Sequence, residues 1–469
     1  MMLRAAEMAL ATKGQLLQDG PPGPIGTDSR RVAQGSWFLC LRGDRFDGHD
    51  FLAHAAASGC AGAIGEAMPP GWSVGFILVP DGLRALQDLA RWVREGFGGA
   101  VVGITGSAGK TTTRAMVTLA LDALGPVHQT QGNLNNHIGL PLSILAAPVE
   151  AAAWVLEMGM NHRGEIAVLQ DIAQPNVRLI TNVGPAHIEG CGSIEGVAQA
   201  KGELFVGARP GDICCVNVDD ARVRALPIPP GVRLLRYGSR IHGDSESRCN
   251  DAQIECDVLL TAAAIDPLTL HTRFNIETPR GAVRGALRTP GLHLAMNATA
   301  AIAIAEALRL DLAPLGALLS AFEPVGMRNR VEEGPRGLRI INDAYNANPI
   351  SMRASLLTLA AVAGARRVAL LGDMLELGEE EASAHREVLE QAQALGFDLL
   401  GVAGPRFAAA AAAAGTPGIV IAADADALAH LVAAQLTPGD VVLLKGSRGM
   451  AMERILHHLG ATAPASESR

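Results

Sequence analysis

The stretch GITGSAGKTTT, residues 103–113, decides how the chain is read. It overlaps the end of an apolar run at 100–105 and leads into a helical pattern rich in Ala, Met and Leu over 111–124. Strand, glycine-rich turn and helix in that order open a βαβ unit. Glycines let the backbone fold around phosphate oxygens, so that consecutive N–H groups and the helix N-terminus face the anion. Gly106, Ser107, Ala108, Gly109 and Thr112 form the expected cradle. Lys110 supplies a point charge for β- and γ-phosphates, and the Thr111 hydroxyl is placed to hold magnesium. The pattern G-x-x-x-x-G-K-[ST] is met except at its first glycine, where Ile104 stands; the available glycines are Gly103, Gly106 and Gly109.

Working outward, Glu157 follows the apolar segment 151–156, and His187 lies in TNVGPAHIEG after the strand pattern 177–182. Both are expected at the carboxyl edge of a parallel sheet, near the phosphates, where either can ligate magnesium directly or through water. Taken singly, each also fits a surface or capping residue; their joint placement favours the metal. Lys201, in AQAKGELF, reads on its residues as a solvated helix lysine. A lysine beside a dinuclear metal site has a second reading, in which carbamylation turns the cation into an oxygen ligand.

Length and composition bound the rest. A chain of 469 residues suggests about three domains. With 49% apolar and only 3% aromatic residues, its cores must rest on Ala, Val, Leu and Ile. A net charge of −8 without blocks of like charge argues against nucleic-acid partners. The seven cysteines are odd in number, scattered and without a CxxC pair, which fits a reducing cytoplasm. No signal peptide is read at the N-terminus, and no apolar run reaches the roughly 18 residues of a membrane span. The alanine tract 408–414 is far too short to cross a bilayer.

The fold class expected is α/β in three domains. Residues 1–90 read as a small mixed unit, 91–312 as a P-loop ATPase-type parallel sheet and 313–469 as a second doubly wound, Rossmann-like unit. Within the middle unit, 232–290 change character, and the runs 258–263 and 268–274 read as an antiparallel excursion. A helix over 296–308 and a break at Pro314 mark the second boundary. Strand patterns then recur at 338–341, 367–371, 399–403, 418–421 and 440–444.

Taken together, TGSAGKTTT (105–113), Glu157, TNVGPAH, AKGELF, GLHLAMNATAAIA (291–303), PVGMR (324–328), NDAYNANP (342–349) and LLGDMLELG (370–378) resemble the Mur ligase family, the ATP-dependent amide-forming enzymes of peptidoglycan precursor synthesis. The resemblance runs from DSR at Asp28 to KGSRGM at Met450. QGNLNNHIGLPLSIL (131–145), EMGMNHRGEI (157–166), YNANP and GDMLELG look like the member that adds D-alanyl-D-alanine to a UDP-N-acetylmuramoyl tripeptide. It implies a cytoplasmic, monomeric ligase using ATP and Mg2+. Ser29 and Arg30 would hold the uridine end, and Asn135 and Asn136 would contact substrate. Thr111, Glu157, His187 and a carbamylated Lys201 would hold metal. Asn297 would meet adenine, while Arg328 and Asp343 would close over phosphate and ribose. Met327 stands where the family has Gly before the linker arginine, Asn342 replaces the first of two acidic residues, and Arg330 follows two residues after Arg328. The acceptor dipeptide would meet Tyr345, Asn346 and Asn348, with Lys445 and Ser447 near its carboxylate, although KGSRG also reads as a plain helix-start turn. A folylpolyglutamate-type ligase shares the phosphate turn, but the segment 28–51 argues against it.

Overall fold

Apolar runs bounded by Gly, Asp and Pro become short buried strands, and the chain arranges them in three sheets. The computed structural model describes residues 1–43, 45–241, 255–415 and 418–460; Cys249 lies outside them. The first sheet contains β1 (Gln15–Gln18), β2 (Ile25–Gly26), β3 (Trp37–Leu39), β4 (Gly62–Gly65) and β5 (Gly75–Leu78), in the order β1-β5-β4-β3-β2. Only β1 runs antiparallel to its neighbour.

The second sheet has nine strands: β6 (Ala100–Thr105), β7 (Val127–Gln129), β8 (Ala153–Glu157), β9 (Val177–Ile180), β10 (Ile213–Asn217), β11 (Arg233–Ser239), β12 (Val258–Ile265), β13 (Thr272–Thr278) and β14 (Gly281–Leu287). Their order is β14-β13-β12-β11-β10-β9-β6-β8-β7, parallel from β7 to β12 and antiparallel thereafter. The antiparallel excursion is thus present, within the same sheet, but its second strand starts at Thr272 rather than 268. Asp266 Oδ1 accepts the N–H groups of Leu268 and Thr269, and Leu270 sits at φ 57°, so the segment turns before it extends. β6 lies between β9 and β8, so connections leave it to both sides, and its carboxyl end is the crevice where α/β sheets take ligands.

The third sheet orders β15 (Arg330–Glu333), β16 (Arg339–Asp343), β17 (Arg367–Gly372), β18 (Leu399–Ala403), β19 (Ile419–Ala422) and β20 (Val441–Lys445) as β15-β16-β20-β17-β18-β19. β20 is inserted between β16 and β17, which again opens a crevice at the carboxyl ends. The helix Gly82–Glu95 runs across residue 90 and contributes Leu86, Leu89 and Val93 to a core shared with Leu140, Ile144 and Leu169 of the middle unit. Beyond residue 312, Leu315, Leu319 and Phe322 still pack in the core of the second sheet. Among the described residues no helix is long and apolar enough to cross a membrane.

Candidate active site

A cavity of about 970 Å³ lies where the carboxyl end of β6 meets the carboxyl end of β16. Its floor is the turn from Ser107 to Thr112, carried by β6 and by the helix Lys110–Leu121. Two glycines are required there. A Cβ on Gly106, at φ 153°, would lie 1.9 Å from Thr181 Oγ1, and one on Gly109, at φ 80°, 3.0 Å from Asn297 Oδ1. The turn is fastened to the end of β9: Ser107 N donates to the Asn182 carbonyl at 3.0 Å, Ala108 N to Asn182 Oδ1 at 2.9 Å, and Thr181 Oγ1 to the Ala108 carbonyl at 2.6 Å. Lys110 Nζ folds back to the Gly106 carbonyl at 2.7 Å. Burial pushes its ammonium below the ordinary lysine range, Glu157 opposing and Arg328 reinforcing the shift. The Thr111 hydroxyl lines the cavity with no hydrogen bond recorded among the described residues.

Glu157 ends β8 at 3% exposure; its Oε1 accepts from Asn135 Nδ2 at 2.9 Å and its Oε2 from Arg114 Nη1 at 3.2 Å. His187 adopts φ 59°, and its Nδ1 lies 3.9 Å from Oε2 of Glu376, a residue itself at φ 64°. Burial, with help from Lys110 and Lys201, lowers the imidazole to about 4, so it is neutral and fit to ligate metal at neutral pH. Lys201 is 1% exposed rather than solvated, and no hydrogen bond or ion pair is recorded for it among the described residues. Burial and then Lys110 push its amine well below the usual lysine value.

This donor set suits magnesium only in part. Among the described residues no three His, Cys, Asp or Glu side chains converge. Magnesium, however, is ordinarily held by one or two carboxylates together with substrate phosphates and water. A buried, unpartnered lysine whose charged form burial disfavours is also suited, once it has lost its proton, to attack carbon dioxide, forming a carbamate with release of a proton. Thr111, Glu157, His187 and, once carbamylated, Lys201 would hold a cation that arrives with phosphate and would supply charge neutralisation there.

The opposite wall comes from the third sheet. The Arg328 guanidinium lies 3.6 Å over the Tyr345 ring and lines the cavity, whereas Arg330 opens β15, exposed and outside it. Asp343 receives Ser355 Oγ at 2.7 Å, Asn329 N at 3.2 Å and Lys445 Nζ at 2.5 Å. Lys445 is thereby ion-paired inside the wall. Asn348 caps the helix Pro349–Ala360, and its Nδ2 donates to the Ser107 carbonyl at 3.3 Å, from one unit to the phosphate turn of the other. Tyr345, Asn346 and Asn297 line the same space.

Other expected residues stand elsewhere. Ser29 and Arg30 lie outside this cavity, with Arg30 paired to Asp28 at 2.9 Å. Asn136 Oδ1 accepts the Ile138 N–H at 3.2 Å and the Gly139 N–H at 2.8 Å, just before the helix Gly139–Leu145. Ser447 is buried between the Leu375 N–H and the Ala347 carbonyl. Asn182, Asp219 and Tyr237 also line the cavity, and Arg114 lies behind it on Glu157; of these only Asn182, in TNVGPAH just after a strand, carries a signal in the sequence.

Known proteins match along most of the chain. Family models described as Mur ligase family, catalytic domain, Mur ligase middle domain and Mur ligase, glutamate ligase domain match residues 24–91, 104–305 and 327–448. The UDP-N-acetylmuramoyl-tripeptide--D-alanyl-D-alanine ligase of Escherichia coli (strain K12) is 35% identical, covering 93% of this chain and 93% of its own. That of Bacillus subtilis (strain 168) is 35% identical over 93% and 92%. Among solved structures, MurF from Acinetobacter baumannii superposes with a TM-score of 0.86 at 30% identity, covering 98% of this chain and 99% of its own. MurF ligase from Thermotoga maritima, in complex with ADP, gives 0.81 at 29%, covering 93% and 97%. A phosphate turn that departs at one glycine is therefore no obstacle to assignment, and the chain belongs to the Mur ligase family.

Proposed function

We propose that the protein joins D-alanyl-D-alanine to a UDP-N-acetylmuramoyl tripeptide at the expense of ATP, as the names of its relatives indicate for them. The observation that carries the reading is the single cavity in which the Lys110 turn faces Arg328, Tyr345 and Asn348 of another unit. A carboxylate is resonance-stabilised and resists an amine, so its oxygen must first become a leaving group. Transfer of the γ-phosphoryl group to the tripeptide carboxylate does this, and the dipeptide amine then displaces phosphate from the acyl phosphate. Lys110 and Arg328 neutralise charge on the transferring oxygens, which is most of what such a transfer asks of a protein. Bound Mg2+, held by Thr111, Glu157, His187 and a carbamylated Lys201, supplies further charge neutralisation. Asn297 serves the adenine and Asp343 the ribose.

Residues 1–90, with Ser29 and Arg30, take the uridine end, 91–312 the nucleotide, and 313–469 the acceptor, met by Tyr345, Asn346 and Asn348. Asn135, Asn136, Lys445 and Ser447 act by ordering the walls, through the bonds described above. Water must be excluded because an acyl phosphate hydrolyses, and the Asn348 to Ser107 bond supports closure over the turn. Nucleotide-linked substrates fit a cytoplasmic enzyme, which we take to act as a monomer. The test is phosphate release across a panel of UDP-peptides and dipeptides. Release is expected only with both the tripeptide and D-alanyl-D-alanine present, and release at the same rate without an amine acceptor overturns the reading.

A further inference from the structure

One buried cation beside the phosphate turn has no part in this scheme. Arg114 lies one helical turn beyond Lys110, 4% exposed, and is absent from the cavity wall. Its Nη1 reaches Glu157 Oε2 at 3.2 Å and the Gly132 carbonyl at 3.3 Å, while Asn135 holds Oε1 at 2.9 Å. Both oxygens of Glu157 are thus engaged, and a buried guanidinium balances its charge. Glu157 and Arg328 act on both Lys110 and Arg114, the carboxylate favouring their charge and the guanidinium opposing it. Without nucleotide, the Glu157 carboxylate is therefore already paired with a buried guanidinium, which makes it a poor trap for a free divalent ion.

We propose that Arg114 is a positioning residue that masks the Glu157 charge, so that a divalent cation enters the seat together with polyphosphate and not ahead of it. The inference rests on the reading of Glu157 as a cation ligand. The two donors fix the carboxylate in place, and the nucleotide's own negative charge supplies the attraction that Glu157, so paired, does not. A cation held alone would occupy the phosphate seat in the wrong order; the pairing removes that state.

The experiment is Mn2+ titration of the full chain, followed by electron paramagnetic resonance, without nucleotide and then with a non-hydrolysable ATP analogue. Wild type and Arg114→Lys are expected to bind Mn2+ weakly alone. Arg114→Gln tightens nucleotide-free binding by about tenfold or more, as one charge is unmasked beside a divalent ion. Arg114→Gln/Glu157→Gln returns it to the wild-type value, and thermal melts report folding of each variant. Folded Arg114→Gln that binds Mn2+ no better than wild type overturns the proposal. Should that variant not fold, Glu157→Gln decides: a masked carboxylate makes no difference to nucleotide-free binding, and weakened binding refutes masking. If Glu157→Gln leaves nucleotide-dependent Mn2+ binding unchanged, the ligand reading of Glu157 itself has failed.

Discussion

A guanidinium laid on a ring face keeps its N–H groups for other partners. No hydrogen bond or ion pair is recorded for Arg328 among the described residues; what holds it is the Tyr345 ring at 3.6 Å. That hold is worth about 1 kcal/mol and needs the ring, not the hydroxyl. Tyr345→Phe should leave steady-state kinetics near wild type, whereas Tyr345→Leu should raise KM for ATP about fivefold. Equal losses in both would show that the hydroxyl meets a substrate instead. Residue identities of this kind were unevenly legible. Lys110 could be read because its role is written in local sequence, the turn that carries it. Lys201 read as solvated because nothing in AQAKGELF tells that its helix face is covered by the second sheet, leaving it 1% exposed. Arg114 gave no signal at all, since its partner Glu157 is 43 positions away and a lone arginine on a helix ordinarily faces water.

Elements were more legible where one apolar run is fenced by breakers. The strand read at 100–105 is β6, and that at 399–403 is β18. The misplaced start of β13 has a physical cause: Leu268, Leu270, Thr272 and Phe274 alternate like a half-buried strand, but the Asp266 carboxylate captures two N–H groups and leaves Leu268 87% exposed. Local turn chemistry outcompeted the period of two. The phosphate turn is the element on which function depends, and its tolerance is narrow. Gly106→Ala forces a Cβ onto Thr181 Oγ1, the atom that anchors the Ala108 carbonyl, in a backbone region that costs a side chain about 1–3 kcal/mol. The Kd for ADP should rise by about tenfold or more, with a modest fall in Tm. Unchanged ADP affinity by calorimetry would place nucleotide binding away from this turn.

At the scale of the molecule, acid should loosen the packing of the middle and third units before it reaches the carboxylates. His128 in β7, His187 and His385 are each pushed below the ordinary value of 6.5 first by burial. His385 Nε2 accepts the Met374 N–H at 2.9 Å, and its Nδ1 lies 2.7 Å from the Glu381 carbonyl, an arrangement only the neutral ring allows. Unfolded, these rings take up protons near pH 6.5 while the folded ones do not, so the unfolded state binds more protons below that pH and stability rises with pH. Tm should therefore fall steadily as the pH drops below about 6.5 towards 4, the value to which His187 is pushed; a Tm that climbs on acidification through this range contradicts the burial described. Closure is the other property of the whole. The third sheet reaches the phosphate turn through Asn348, whose Oδ1 caps its own helix at the Ser351 N–H, 2.9 Å away, while its Nδ2 crosses to the Ser107 carbonyl. The two jobs use different atoms of one amide and can be separated. Asn348→Asp keeps the cap, worth about 1 kcal/mol, but loses the crossing donor and sets an anion beside the phosphate seat. Its Tm should match wild type, its KM for ATP should rise by about tenfold, and small-angle scattering with a bound ATP analogue should show a more extended particle. Were Asn348→Asp to lose stability and keep its ATP affinity, the crossing bond would be incidental, and closure would have to depend on the packing of Ile350 against Gly184, where a Cβ would lie 1.8 Å from Ile350 Cδ1.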